Sequence, residues 1–166
     1  LLSAPQAFEN FANPIIFLFM GGFALAASLQ KYGLDQLFAL TMLSLARGRP
    51  FVAIVFLFIT TAILSMWISN TATIALMLPI SLGLLSRQRA DENPSLYVFV
   101  LLGLAYSANL GGMVTLIGSP PNAIAASATG LSFADWIQWG LPLFVILFPL
   151  MIGILLLIFR PKFSQP

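Results

Sequence analysis

Ser69-Asn70-Thr71 stands in the middle of an apolar run covering residues 51–86, and Gly118-Ser119-Pro120-Pro121-Asn122 interrupts a second run, residues 95–129. In hydrocarbon every polar group needs a partner, so small polar residues at such depth point to a ligand, a packed interior or a helix break. The residue types fit breaks. Ser69 and Asn70 are good N-caps for a helix through residues 72–85, and Ser119 followed by Pro120 is the favoured N-cap and N1 pair for a helix through Asn122 and Ala126. Two half-helix N-termini facing one site would offer N–H groups and a positive dipole end to a carboxylate or similar anion, with Ser, Asn and Thr side chains adding directional hydrogen bonds. The preceding arms would end in free carbonyls. Those near Ser65, Ser69, Ile117 and Gly118, with the Ser65 hydroxyl and the Asn70 amide oxygen, are hard neutral oxygens suited to a small cation such as Na⁺. Paired discontinuous helices of this kind let secondary transporters hold ions and anions away from water.

Composition defines the medium in which such a site would sit. With 60% hydrophobic and 7% charged residues, the 166-residue chain reads as an integral membrane protein. It has no Cys and no His, which removes thiolate chemistry, Cys-based metal sites and the commonest general base. No paired acids lie at membrane depth, so a membrane-embedded enzyme would have only Ser or Thr without a visible base. The same lack of acids and His favours sodium over proton coupling. The net charge of +2 comes from short basic clusters that read as topology signals, not as a nucleic-acid surface.

The elements that must position the two breaks follow from the hydrophobic segments. Residues 1–10 carry no initiator Met, basic n-region or cleavage pattern, so they read as part of a longer chain and not as a signal peptide. Residues 14–30 form the first candidate span, with Gly21-Gly22 allowing close helix packing. Residues 34–47 are too few to cross and read as an interfacial helix. The stretch 51–86 reads either as two full spans with a tight turn at Ser69-Asn70-Thr71 or as a re-entrant helical hairpin, and the hairpin is favoured because each arm of about 15 to 18 residues covers only about 25 Å of a roughly 30 Å core. Residues 95–129 form a broken transmembrane helix, and 136–159 a final span with Trp136 and Trp139 as interfacial anchors and Asp135 as a solvated helix cap. Threaded in this order, Lys31, Arg47, Arg49, Arg87, Arg89, Arg160 and Lys162 fall on one face, and Glu9 and Asp135 on the other. The positive-inside rule makes the basic face cytoplasmic. No internal repeat is visible, since each break occurs once. The fold class is thus all-α and polytopic.

Met66-Trp67-Ile68-Ser69-Asn70-Thr71-Ala72-Thr73 with Leu78-Pro79, then Ala105-Tyr106-Ser107-Ala108 through Gly111-Gly112 and Thr115-Leu116-Ile117-Gly118-Ser119-Pro120-Pro121-Asn122, closely resembles the divalent anion/sodium symporters. Bacterial members of that family carry succinate and related dicarboxylates. The resemblance covers nearly the whole chain and matches only the amino-terminal half of the family's core, one half of an inverted-repeat transporter. It implies that Ser69, Asn70 and Thr71 contact substrate carboxylate. It also implies a sodium site of Ser65, Ser69, Asn70 and the Gly118 backbone, supported by the loop of Ser119, Pro120, Pro121 and Asn122. It further implies a scaffold segment, 1–49, that dimerises, and a transport segment, 50–166, that moves against it. A second Ser-Asn-Thr hairpin and a second broken helix, which this sequence lacks, would complete the site.

Bland readings stand beside these. Ser and Thr in membrane helices often pack or bond to the carbonyl one turn back, and Ser65 on its own would be read that way. Thr73, Ser107, Asn109 and Thr115 read as helix–helix hydrogen bonds, and Trp67 as packing. The expectation is Na⁺-coupled symport of C4-dicarboxylates such as succinate across a bacterial inner membrane, by a homodimer of which this chain is a fragment. The alternative is an uncoupled anion channel or a sulfate-type or dicarboxylate exchanger on the same fold.

Overall fold

The computed structural model describes residues 14–46, 49–86 and 93–163, which form seven helices and no strand. They are α1 (Pro14–Lys31), α2 (Leu34–Ser44), α3 (Pro50–Ser65), α4 (Asn70–Leu85), α5 (Pro94–Gly112), α6 (Pro120–Thr129) and α7 (Phe133–Phe159). Local chemistry accounts for most boundaries. Pro50, Pro94 and Pro120 each occupy the first turn of a helix, where a missing N–H costs nothing. Gly33 and Gly130 take the left-handed conformation between α1 and α2 and after α6. A capping box of Ser132 and Asp135 starts α7 three residues before the expected 136. The interfacial helix expected over 34–47 ends at Ser44, with a turn after it, while Arg47 lies outside the described residues. So do Glu9, Arg87 and Arg89, which carry much of the expected charge asymmetry.

Helix α5 is the centre of the bundle, packed against α3, α4 and α7, while α3 also packs on α2 and α4. Its seam with α3 is close because Gly103 makes room for the Phe58 ring and Gly111 lies against the Ala62 backbone. Phe58 and Phe99 meet with centroids 5.6 Å apart in a core that also buries Ile54, Leu57, Met77 and Leu104. Phe163 stacks edge-on against Phe51 at 5.0 Å, and Asn93 Nδ2 donates to the Lys162 carbonyl at 2.7 Å. The starts of α3 and α5 and the end of α7 therefore share one end of the bundle, and Arg49, Arg160 and Lys162 lie there. The helix breaks are at the other end, where Trp136 at the start of α7 reaches Met113.

Among the described residues, α5 and α7 are long and apolar enough to cross a membrane. Helices α3 and α4 have 16 residues each, which at about 1.5 Å per residue is about 24 Å. Val145, Ile146, Leu157 and Ile158 leave α7 with an exposed apolar face suited to lipid.

Candidate functional site

The first break is short. Helix α3 closes with the Met66 N–H turned back to the Ala62 and Ile63 carbonyls, and Trp67 and Ile68 both bond to the Leu64 carbonyl. Ser69 then caps α4, accepting the Ala72 N–H at 3.3 Å with its side chain and the Thr73 N–H at 2.9 Å with its carbonyl. Ser69 and Thr71 are exposed and Asn70 is half-buried. Both ends of the Asn70 amide are engaged. Ser65 Oγ donates to Asn70 Oδ1 at 2.6 Å, and Asn70 Nδ2 donates to Asn109 Oδ1 at 3.1 Å. The fully buried Ser65 and the exposed Asn109 thus flank it on α3 and α5.

The second break runs over residues 113–119 and is buried from Val114 to Gly118. Its carbonyls would be orphaned in an apolar interior, and side chains satisfy them. Asn122 Nδ2 donates to the Gly112 carbonyl at 2.8 Å and to the Thr115 carbonyl at 2.7 Å. Trp136 Nε1 donates to the Met113 carbonyl at 3.0 Å. Thr115 Oγ1 accepts the Gly118 N–H at 3.1 Å and donates to the Met66 carbonyl in the first break. That last bond ties the two breaks together.

Glycine sets how close they come. A Cβ on Gly118 would fall 2.6 Å from the Gly112 carbonyl oxygen and 2.8 Å from that of Ser65. A Cβ on Gly112 would fall 2.3 Å from Asn70 Oδ1. The structure therefore packs Ser65, Asn70, Gly112 and Gly118 into one cradle, in which the close contacts are neutral oxygens of Ser65, Asn70 and Gly112, with no charged side chain from the described residues. Such a donor set suits a small hard cation more than an anion. The carbonyls of Ser65, Ile117 and Gly118 are not among those capped by side chains, whereas that of Ser69 is taken by Thr73.

One expectation needs correcting. Ser119 occupies the N-cap position of α6, but its side chain accepts no capping bond. An N-cap oxygen accepts from the second or third residue of its helix. Here the first two are Pro120 and Pro121, which have no N–H, and the third, Asn122, turns its N–H to the Ser119 carbonyl at 3.1 Å. The N-terminus of α6 therefore presents fewer donors than that of α4, which begins Asn70-Thr71-Ala72. The two ends are unequal as anion sites.

The expected hydrogen bonds across segments are made by Asn109, to the Asn70 amide, and by Thr115, which joins the breaks, but the buried hydroxyls of Thr73 and Ser107 have no partner among the described residues. Trp136, expected as an interfacial anchor, also caps a broken-helix carbonyl. Position was the available signal for Thr115, since it lies inside a break and not on a regular helix face. Ser65, Asn70 and Gly118 meet as a group, while Pro120 and Pro121 are exposed beyond it.

Comparison with known proteins adds lineage to this geometry. The chain matches the family model described as citrate transporter over residues 1–165. It is 57% identical over 162 residues to an uncharacterized transporter of Haemophilus influenzae, covering 98% of this chain and 35% of that protein. It is 43% identical over 122 residues to an uncharacterized transporter of Methanocaldococcus jannaschii, covering 73% of this chain and 27% of the other. Against a sodium-dependent dicarboxylate transporter of Staphylococcus aureus it is 33% identical over 161 residues, 89% of this chain and 31% of that protein. The chain spans about a third of the length of these curated relatives.

Proposed function

The chain belongs to the citrate transporter family, whose members are membrane transporters and not enzymes, and on that premise we propose that it supplies one half of a Na⁺-coupled symporter for C4-dicarboxylates such as succinate. The observation that carries this reading is the union of the two breaks through Thr115 and Met66 around the cradle of Ser65, Asn70, Gly112 and Gly118. Na⁺ would be held by Ser65, Ser69, Asn70 and the Gly118 backbone. The dicarboxylate would meet the first-turn N–H groups and side chains of α4 at Ser69, Asn70 and Thr71, and Ser119, Pro120, Pro121 and Asn122 would support the site from behind.

In this reading Ser65 and Asn70 satisfy one another until the ion replaces their shared hydrogen bond. Bound cation then offsets substrate charge in a site without Lys or Arg, which makes the two ligands mutually stabilising. Helices α3 and α4 act as a re-entrant hairpin that, with the later helices, moves against the scaffold of residues 1–49. That scaffold pairs two copies in a bacterial inner membrane with the Arg49 and Lys162 end in the cytoplasm. The remaining carboxylate contacts come from an inverted repeat of this half.

Na⁺-driven succinate uptake by the full-length protein in proteoliposomes tests the reading. Asn70→Ala should abolish that uptake while protein level is unchanged. Wild-type uptake by the variant would refute the assignment, and wild-type succinate flux indifferent to Na⁺ would favour a channel or exchanger.

A further inference from the structure

Asn70 sits between two partners of different character. Ser65 Oγ, which donates to Asn70 Oδ1 at 2.6 Å, is a hydroxyl able to donate or accept, so by itself it does not decide which end of the amide faces the cradle. Asn109 engages the opposite end: its Oδ1 accepts from Asn70 Nδ2 at 3.1 Å, and in this arrangement Asn70 Oδ1 faces Ser65 and Gly112, the cation side. An amide, like a hydroxyl, can donate or accept, so the two contacts together hold this orientation. Asn109 is exposed at the start of the last turn of α5, so its own side chain is not needed to fill a core. It is also neutral, in a neighbourhood where the cradle holds no compensating positive side chain.

From this arrangement we infer that Asn109 is a positioning residue for the cation site and a determinant of the charge of the accepted anion. The inference rests on the Na⁺-coupled reading above and adds a residue to it. A side chain that accepts a hydrogen bond at position 109 keeps the Asn70 oxygen aimed at the ion. A side chain that is uncharged there lets a dianion approach. Asn meets both requirements, Asp only the first and Ala only the second, so the two variants separate the two roles.

The experiment measures Na⁺ half-saturation and succinate KM for the wild type, Asn109→Ala and Asn109→Asp of the full-length protein in proteoliposomes. Loss of one positioning hydrogen bond in Asn109→Ala should raise Na⁺ half-saturation about tenfold, with succinate KM at saturating Na⁺ within about twofold of wild type. Asn109→Asp should return Na⁺ half-saturation to the wild-type value or below it, while raising succinate KM more than about tenfold through repulsion of the dianion. Unchanged Na⁺ half-saturation in Asn109→Ala, or parallel loss of both parameters in both variants, would overturn the inference. Absence of Na⁺-driven uptake in the wild type would instead overturn the reading beneath it, and the wild type alone reports that outcome.

Discussion

The break between α3 and α4 leaves Ser69 and Thr71 exposed, whereas the break between α5 and α6 buries residues 114–118, binds the carbonyls of Gly112, Met113 and Thr115 to Asn122 and Trp136, and binds the Gly118 N–H to Thr115. Both interrupt a helix in an apolar chain, and both must satisfy the backbone groups they release. The first does so with a minimal cap and keeps the N–H groups of Asn70 and Thr71 at a helix start. The second turns Asn122 onto its own backbone and Thr115 onto both its own backbone and that of the first break, and two prolines remove donors from the start of α6. The difference suits them to separate work. In the proposed function the first presents the ligand surface, and the second is the brace against which that surface is held.

The largest test of this division is at Gly118, where the brace touches the first break. Gly118→Ala places a Cβ within 3 Å of two backbone oxygens, those of Gly112 and Ser65, and neither can move like the tip of a side chain. Overpacking of this kind costs about 1–3 kcal/mol or more and would force the breaks apart. Na⁺-driven uptake should be lost, and Na⁺ should no longer raise the melting temperature in detergent. Gly21→Ala is the matched control, because a Cβ there meets nothing within 4 Å. Equal behaviour of the two variants would show that close approach at Gly118 is not what the site requires.

Next in size is Asn122→Leu. The substitution keeps the volume but removes both hydrogen bonds, leaving the Gly112 and Thr115 carbonyls unpaired in a buried place. A buried acceptor left without a partner costs about 1–3 kcal/mol. Thermal unfolding in detergent without ligand should show the loss directly. If stability holds while transport fails, Asn122 belongs to the ligand surface and the two breaks are more alike than their burial indicates.

How much of this was legible in the sequence depends on the range of the interaction. The breaks themselves were readable, because Ser69-Asn70-Thr71 and Gly118 through Asn122 are local signals that act within one turn of helix. The family model and relatives bear out the kinship that those same motifs carried. Across the bundle the sequence showed that Asn109 and Thr115 bond to another segment but not to which residue, and it misjudged Thr73 and Ser107, whose buried hydroxyls find no partner among the described residues. Thr115 meets Met66 49 positions away, Asn70 meets Asn109 39 away, and Trp136 meets Met113 23 away. A hydroxyl or amide has the same local pattern whether it bonds one turn back or across to another helix. The failure of the Ser119 cap was within reach, since Pro121 visibly lacks the N–H that such a cap would use. Preference for Ser before Pro masked it.

The smallest expected effect on the fold is at Ser69, and it separates the two breaks most sharply. Its cap bond to Ala72 is long, 3.3 Å, and exposed to whatever fills the site. Ser69→Ala should therefore lower ligand-free stability by no more than about 1 kcal/mol, the usual worth of an N-cap. Its carbonyl still accepts the Thr73 N–H, so α4 keeps its first turn. Transport should respond out of proportion, with Na⁺-driven succinate uptake falling several-fold, about what one lost ligand-directed hydrogen bond implies. The ratio of the two effects is the informative quantity. For Asn122→Leu stability falls first and transport follows from it, whereas for Ser69→Ala transport falls on a fold that is nearly intact. A stability loss at Ser69 as large as that at Asn122 would mean that the first break is also a brace, and that the ligand surface must be sought elsewhere around Asn70.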